Sequence, residues 1–316
     1  MSRNIGASVR ARLLARARAE KTDYQILLTR YALERLLYRL SVSAHRDRFI
    51  LKGAMLFATW LDDPFRPTRD LDLLGYGAND AESIADTFKA ICSTEVPDDG
   101  VTFDIESLAA APIREELEYG GVRVRTHAVL DGARIPIQID IAFGDIITPG
   151  PVEIAYPVLL DSPAPHLRAY PVATVVAEKF NALVVLGIAN SRLKDFYDLW
   201  LISRTFEFHR SELSAAVQRT FEHRQTPMPI DVPTGLTGSY AEQWDTRRKA
   251  FLGREHMNAA PTDLNQILEY LRGFLVPLGV PARMDAHWPP VVPGPTLHEQ
   301  RRPTSTKNGL LSRICG

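Results

Sequence analysis

Acidic residues and leucines alternate in the segment Asp70-Leu71-Asp72-Leu73. Because successive side chains of a β-strand point to opposite faces, the segment predicts a strand with both carboxylates on one face and both leucines in the core. Two carboxylates on one face can bind Mg²⁺, which prefers carboxylate oxygens and leaves its other positions to water and phosphate. The pair alone equally fits a solvated strand edge.

A second alternating segment strengthens the first interpretation. Its apolar residues share one face and its polar residues the other: Ile135, Ile137, Ile139, Ile141 and Phe143 against Gln138 and Asp140. If this strand lies beside the first, Asp140 brings a third carboxylate to the same side. Three carboxylates on neighbouring strands are the arrangement that two-metal phosphoryl and nucleotidyl transfer needs.

Residues between and before these strands could contact phosphate. Lys52 and Gly53 interrupt the apolar run 49–56, and a glycine lets the backbone come close to a phosphate. Arg66 could clamp a phosphate and Thr68 could bind one by its hydroxyl. Lys52 could instead be an exposed charge at a strand end, and Arg66 and Thr68 could be ordinary turn residues.

The order of Gly53, then Arg66-x-Thr68-x-Asp70-x-Asp72, then Asp140, resembles the polymerase-β-like nucleotidyltransferase superfamily. The helical segment 23–41 and the two segments Ala177-Glu178-Lys179-Phe180-Asn181-Ala182 and Arg192-Leu193-Lys194-Asp195-Phe196-Tyr197-Asp198-Leu199 narrow the resemblance. Together they are similar to the AbiEii/AbiGii nucleotidyltransferase toxins of type IV toxin–antitoxin and abortive-infection systems, over roughly residues 5–275. Ala54 departs from the superfamily, which usually carries a second small polar residue or glycine there.

The resemblance implies a role for each matching residue. Asp70, Asp72 and Asp140 would bind Mg²⁺ or Mn²⁺, while Gly53 and Lys179 would position the triphosphate of an NTP substrate. Asp195 is the best match to a further active-site acid, with Asp198 second, and it would orient the acceptor hydroxyl or the Lys179 side chain. From the residues alone, Lys179 could be a snorkelling lysine, and Asp195 could be a first-turn acid that favours the helix dipole.

The implied activity is transfer of NMP to RNA, at the 3′ end of tRNA, which would block translation in toxin–antitoxin or phage-defence systems. An antitoxin encoded in the adjacent gene would be the partner. Two alternatives stay open. The same carboxylates could adenylylate a small molecule or a protein side chain, or the chain could be a non-catalytic module that binds nucleic acid or a partner.

The composition indicates the cellular compartment and the kinds of ligand that suit the chain. Two cysteines among 316 residues, without a Cys/His zinc pattern, suit a reducing cytoplasm. We expect no signal peptide and no apolar run long enough to span a membrane. The net charge is −1, but residues 1–52 hold twelve Lys or Arg against four acids. This basic region could contact RNA phosphates, or its charge could balance acids elsewhere.

The coarse pattern predicts an α/β or α+β fold, with a mixed sheet in a polymerase-β-like nucleotidyltransferase domain followed by a mainly helical half. We expect domains at 1–170 and 171–276, and a Pro-rich, disordered tail at 277–316. Predicted strands lie near Asp70 and at 101–106, 122–130 and 134–143. Predicted helices span 7–19, 23–41 (with Thr22 as N-cap and Gln25 completing a capping box), 80–92, 172–188, 191–204, 210–224 and 261–276.

Overall fold

The computed structural model describes residues 4–61, 68–113, 120–255, 261, 263–279 and 287–288, and these form a mixed α/β fold. The helices of this part are α1 (Ile5–Glu20), α2 (Tyr24–Val42), α3 (Phe57–Trp60), α4 (Ala81–Cys92), α5 (Val172–Leu186), α6 (Leu193–Thr205), α7 (Arg210–His223), α8 (Gly238–Glu255) and α9 (Leu264–Leu275). Its strands are β1 (Phe49–Lys52), β2 (Asp70–Gly75), β3 (Val101–Phe103), β4 (Ala109–Ile113), β5 (Gly121–Leu130), β6 (Ala133–Phe143), β7 (Val152–Ala155), β8 (His166–Ala169), β9 (Phe208–His209) and β10 (His287–Trp288). The predicted fold class, with its mixed sheet, is confirmed.

Eight of these strands form one sheet in the order β3-β5-β6-β2-β1-β8-β7, with β4 pairing a second stretch of β5. The β2–β6 and β1–β8 pairs are parallel, and the other pairs of this sheet are antiparallel. The predicted neighbours therefore lie side by side, and β2 sits in the middle of the sheet between β6 and β1.

The alternating pattern of β6 is visible in its burial. The isoleucines at 135, 137, 139 and 141 are buried, while Gln138 and Asp140 on the other face are partly accessible. Helix α2 packs against β6 and β8, and α4 packs against β4 and β5. Burial of apolar side chains between these layers forms the core, and the polar face of the central strands is left to carry charged side chains.

Helix α2 begins one residue later than its capping box predicts. Its N-cap is Asp23, whose carboxylate accepts a hydrogen bond from the Gln25 backbone N–H at 2.7 Å. Thr22 precedes the cap, and its backbone N–H donates to Ala17 O at the end of α1. The prediction of Thr22 as N-cap was therefore wrong. Asp and Thr are both good caps, and the αL turn at Lys21 sets the register of the chain at this point.

The second half of the chain contains α5 to α9 and the short strand β9. The predicted helices in this half are present with ends shifted by a few residues, but α8 was missed because its apolar residues show little periodicity. Most of the tail predicted from residue 277 lies outside the described residues. Two of its residues, His287 and Trp288, pair with β9. The division into domains at residues 170 and 276 stays a prediction.

One helical stretch of the described chain, Val172–Ala189, is long and apolar enough to cross a membrane by length and composition. The expectation that no apolar run reaches this length was therefore wrong. Buried core helices meet the same criterion, and α5 packs against α6 and α7. It also carries two charged side chains, Glu178 and Lys179, in ion pairs. The stretch is therefore weak support for a membrane span.

Candidate active site

Four charged side chains occupy one row across the sheet. Asp72 on β2 lies opposite Asp140 on β6, Asp140 lies opposite Arg123 on β5, and Asp72 lies opposite Lys52 on β1. We call these four residues, Arg123–Asp140–Asp72–Lys52, the charged row. Asp70 lies two residues before Asp72 and shares its face, as the alternation predicts. The sheet thus brings the three predicted carboxylates together.

The environment of the carboxylates disfavours their charged form. Burial, followed by repulsion from Asp140, raises the pKa of Asp70 above its usual value. Burial also raises the pKa of Asp72; Lys52 opposes the shift and Asp140 adds to it. Carboxyl groups in this condition are stabilised by an added cation. Asp70, Asp72 and Asp140 supply carboxylate oxygens, the donors that Mg²⁺ prefers, so the chemistry of this donor set suits the predicted metal.

Asp140 is engaged by an arginine. Its two carboxylate oxygens accept hydrogen bonds from Arg123 Nε and Nη2, at 2.7 and 2.6 Å. Within the described chain, no group of three His, Cys, Asp or Glu side chains is arranged so that it could hold a metal ion. The three carboxylates are neighbours on the sheet but are not assembled around a common centre, and the three-carboxylate metal site stays a prediction.

Gly53 makes room for the Asp72 carboxylate. It begins the turn after β1 with a φ of +74°, and a Cβ built on it would lie 2.0 Å from Asp72 Oδ2. Glycine adopts positive φ without strain and has no side chain to clash. The close approach that the sequence assigns to a phosphate is, in this structure, an approach to a carboxylate.

We expect Gly53→Ala to destabilise the protein by about 1–3 kcal/mol more than Gly132→Ala does. Gly132 also has positive φ, +77°, but a Cβ there meets nothing within 4 Å. The control substitution therefore carries only the backbone strain, and the difference isolates the clash with Asp72. Thermal unfolding of both variants measures it, and equal losses would contradict the packing of Gly53 against the carboxylate.

Lys52 belongs to a partly buried ionic cluster on the other side of Asp72. Its ammonium lies 2.5 Å from Asp145 Oδ2 and 3.3 Å from Glu178 Oε2. Arg224 closes the cluster, at 3.1 Å from Asp145 and 3.2 Å from Glu178, and the Tyr170 hydroxyl donates to Asp145. The cluster ties the sheet to α5 and to the end of α7. Lys52, predicted to contact the triphosphate, is thus already held by two carboxylates.

The pKa values in this cluster follow from burial and pairing. Burial alone would raise the pKa of Asp145, but Lys52 and Arg224 outweigh it and lower the value to about 2. Burial would lower the pKa of Lys52, but Glu178 and Asp145 outweigh it and raise that pKa. Both groups therefore stay charged near neutral pH, and their pair persists.

Lys179 lies next to Glu178 on α5 and points to a different cluster. Its ammonium is 2.5 Å from Asp195 Oδ1 and 2.9 Å from Asp198 Oδ2, both in the first turns of α6. Burial would lower the pKa of Lys179, but the two carboxylates raise it. The three side chains that the sequence singles out thus form one buried ionic cluster. Its geometry fits an acid that orients the lysine.

Lys194 is an exposed cation on the same side of the molecule. It lies near enough to Asp70 and Asp72 to oppose the rise in their pKa values. Within the described residues it makes no ion pair or hydrogen bond. The hydroxyl of Thr68 is used locally, since it donates to the backbone oxygen of Asp70 at 3.1 Å. Arg66, predicted to contact phosphate, lies outside the described residues.

Arg123, Asp145 and Arg224 were not predicted as site residues from the sequence. Arg123 had a usable signal, because Arg123, Arg125 and His127 alternate with the buried residues of β5. The same period of two that located Asp140 could have located it. Asp145 follows the end of β6 and Arg224 follows the end of α7, positions with no pattern of their own.

The basic N-terminal region is partly neutralised within the molecule. Arg12 pairs with Asp161 at 2.6 Å, and Arg16 pairs with Glu20 at 2.6 Å and donates to Leu159 O. The charge balance with acids elsewhere, one of the two interpretations of this region, therefore accounts for part of it.

A cavity of about 410 Å³ lies apart from the charged row. Its lining includes Arg39, Cys92, Asp99 and Phe103, and none of the candidate site residues. The Arg39 guanidinium pairs there with Asp99 at 2.7 Å. Burial raises the pKa of the Cys92 thiol to about 12, so the thiolate that reactive cysteines need is not formed near neutral pH.

The chain is similar to a known protein family over most of its length. A protein-family model described as "Nucleotidyl transferase AbiEii toxin, Type IV TA system" matches residues 35–270. No curated protein sequence matches the chain. JHP933 from Helicobacter pylori is similar in structure, with 13% identity, a TM-score of 0.40, and coverage of 81% of this chain and 91% of that chain. A second H. pylori structure, described as a candidate nucleotidyltransferase, has 14% identity, a TM-score of 0.40, and coverage of 81% and 94%. The family match spans the whole candidate site.

Proposed function

The chain belongs to the AbiEii family of nucleotidyltransferase toxins from type IV toxin–antitoxin systems, and on this premise we propose that it transfers NMP from an NTP to an RNA acceptor. The acceptor is the 3′ end of tRNA, and its modification blocks translation in the cytoplasm as a phage-defence response. The observation that carries the proposal is the position of Asp70, Asp72 and Asp140 on one face of two parallel neighbouring strands. An antitoxin is the partner that a toxin–antitoxin system implies.

The carboxylates would hold Mg²⁺ or Mn²⁺. When bound, such an ion polarises phosphoryl oxygens and neutralises the charge of the triphosphate. Asp70 and Asp72 supply oxygen donors from one strand. Asp140 would supply another from the next strand and help to deprotonate the acceptor hydroxyl. Gly53 keeps the Asp72 carboxylate in position, because no side chain intrudes there.

Cations of this chain would hold the triphosphate. Lys194 is exposed and lies near Asp70 and Asp72, so it would be available to a phosphate. Lys179 is fixed in direction by Asp195 and Asp198. A fixed ammonium needs little reorganisation when substrate binds, and such preorganised charge is a main source of acceleration in phosphoryl and nucleotidyl transfer. Lys52 contributes by neutralising Asp72 from the opposite side.

The experiment is transfer of label from each of four α-³²P NTPs to total RNA, to a panel of small-molecule acceptors and to protein. We expect label in the tRNA fraction, with release of pyrophosphate. Periodate-treated RNA is the matched control, since it differs only in its oxidised 3′ terminus and should take no label. Label on a small molecule or a protein, with none on RNA, would replace this proposal by the alternative acceptor class.

A further inference from the structure

The Arg123–Asp140 pair occupies the carboxylate where a metal would bind. Arg123 lies directly opposite Asp140 in the β5–β6 register, and it uses Nε and Nη2 to bind both carboxylate oxygens. This two-point geometry is the strongest form of an arginine–carboxylate contact. The guanidinium contacts both oxygens of Asp140, so it competes with a metal ion for this carboxylate by position and by charge.

The pair is accessible enough for such an exchange. The Arg123 and Asp140 side chains are 32% and 21% exposed. The Arg39–Asp99 pair, which also binds through two guanidinium nitrogens, is only 7% and 6% exposed and has the character of a structural ion pair. The Arg39–Asp99 pair therefore lies inside the fold, whereas the Arg123–Asp140 pair lies at the accessible face of the sheet, beside two carboxylates whose charged forms are disfavoured.

We propose that Arg123 is a displaceable counter-ion of Asp140. It holds the carboxylate while no metal is bound, leaves it when a divalent metal is loaded, and then binds a phosphate oxygen of the nucleotide. A guanidinium presents the same planar pair of donors to a phosphate as to a carboxylate, so the exchange preserves its hydrogen bonds. The inference rests on the proposed function, because it takes Asp140 as a metal ligand.

Removal of Arg123 should have opposite effects on the binding of metal and the binding of nucleotide. Without nucleotide, Arg123 competes with metal, so its removal strengthens metal binding. With nucleotide, Arg123 supports the triphosphate, so its removal weakens nucleotide binding. A purely structural ion pair would move neither quantity in this pattern, although its loss would lower thermal stability.

The inference is tested by measuring Mn²⁺ binding to the full chain. The EPR signal of the free ion reports how much Mn²⁺ remains unbound. In the absence of nucleotide, Arg123→Gln should bind Mn²⁺ about tenfold more tightly than wild type. With Mn²⁺ present, the variant should bind the preferred α,β-methylene NTP analogue about tenfold more weakly. Arg123→Lys keeps the charge but loses the two-point contact, so its affinities for Mn²⁺ and for the analogue should lie between those of wild type and Arg123→Gln. This variant replaces Arg123→Gln in the test if Arg123→Gln does not fold.

Arg125→Gln is the matched control, because Arg125 lies two residues along the same strand and face but opposite Gln138. It should leave Mn²⁺ affinity unchanged. If wild type binds Mn²⁺ and the folded Arg123 variants bind it no more tightly, the counter-ion role is overturned while the proposed function stands. If wild type binds no more Mn²⁺ than Asp72→Asn does, the proposed metal site fails first and the inference falls with it.

Discussion

Asp72→Asn should abolish nucleotidyl transfer while leaving the fold intact. The amide is nearly the same size as the carboxylate but lacks the anionic oxygen that a hard cation requires. A bound metal contributes several kcal/mol to stabilisation of the transition state, so we expect a loss of about 10³-fold or more. Asp70→Asn should behave in the same way, because the two side chains share a strand face. The measurement is the rate of label transfer, with Asp86→Asn on the exposed face of α4 as control.

The same substitution should stabilise the metal-free protein at neutral pH. The raised pKa of Asp72 means that its ionisation disfavours the folded state once the pH rises above the usual value, 3.8. Asparagine removes this penalty. Below that pH the wild-type carboxyl is protonated both folded and unfolded, so the gain should disappear there. Thermal melting of wild type and variant across pH checks whether the variant is the more stable protein at neutral pH. For the activity prediction, an active Asp72→Asn enzyme would contradict the assignment of Asp72 to the proposed metal site.

Lys179→Met should lower the free energy of unfolding by about 3–5 kcal/mol, the range for removing one partner of a buried ion pair. The variant leaves Asp195 and Asp198 without their cation, and the two side chains are only 7% and 5% exposed. The melting temperature should fall by about 10 °C. Expression without an antitoxin should no longer slow bacterial growth.

Loss of toxicity in this variant has two possible causes, instability and a missing catalytic charge, and a compensated variant separates them. Changing Asp195 and Asp198 to Asn together with Lys179→Met removes the unpaired charges and should recover most of the stability. We expect this triple variant to be stable and non-toxic, whereas Asp195→Asn/Asp198→Asn with Lys179 retained should keep part of the activity. A stable triple variant that slows growth like the parent would leave Lys179 with a structural role only.

The parts of the site that the sequence could predict are those governed by a short local period. A period of two was enough to place Asp70, Asp72 and Asp140 on one sheet face, because strand geometry fixes the side-chain direction residue by residue. The neighbouring pair Glu178 and Lys179 shows the limit. Both lie on α5, yet Glu178 contacts Lys52 of the sheet and Arg224 after α7, whereas Lys179 contacts Asp195 of α6. That divergence depends on how α5 sits among its neighbours, which no local pattern encodes.

Contacts between distant segments account for the rest. Lys52 looked available for a phosphate because its partners, Asp145 and Glu178, follow it by 93 and 126 residues. Arg12 and Arg16 looked available for RNA because Asp161 and Leu159, their partners from the loop before β8, are equally remote. Charge counted along a sequence overestimates the charge that a folded surface offers to a ligand.

The charged row has a consequence for the order in which ligands bind. Its two cations and two carboxylates cancel, so the row presents no net formal charge to an approaching ion. A divalent cation alone, or a triphosphate alone, therefore gains little Coulombic attraction there, whereas the two together attract each other inside the site. Binding of one should raise the affinity for the other by the same factor in both directions, since such coupling is reciprocal. A toxin built in this way would bind metal only weakly at low nucleotide concentration and fill steeply when the metal–nucleotide complex becomes abundant.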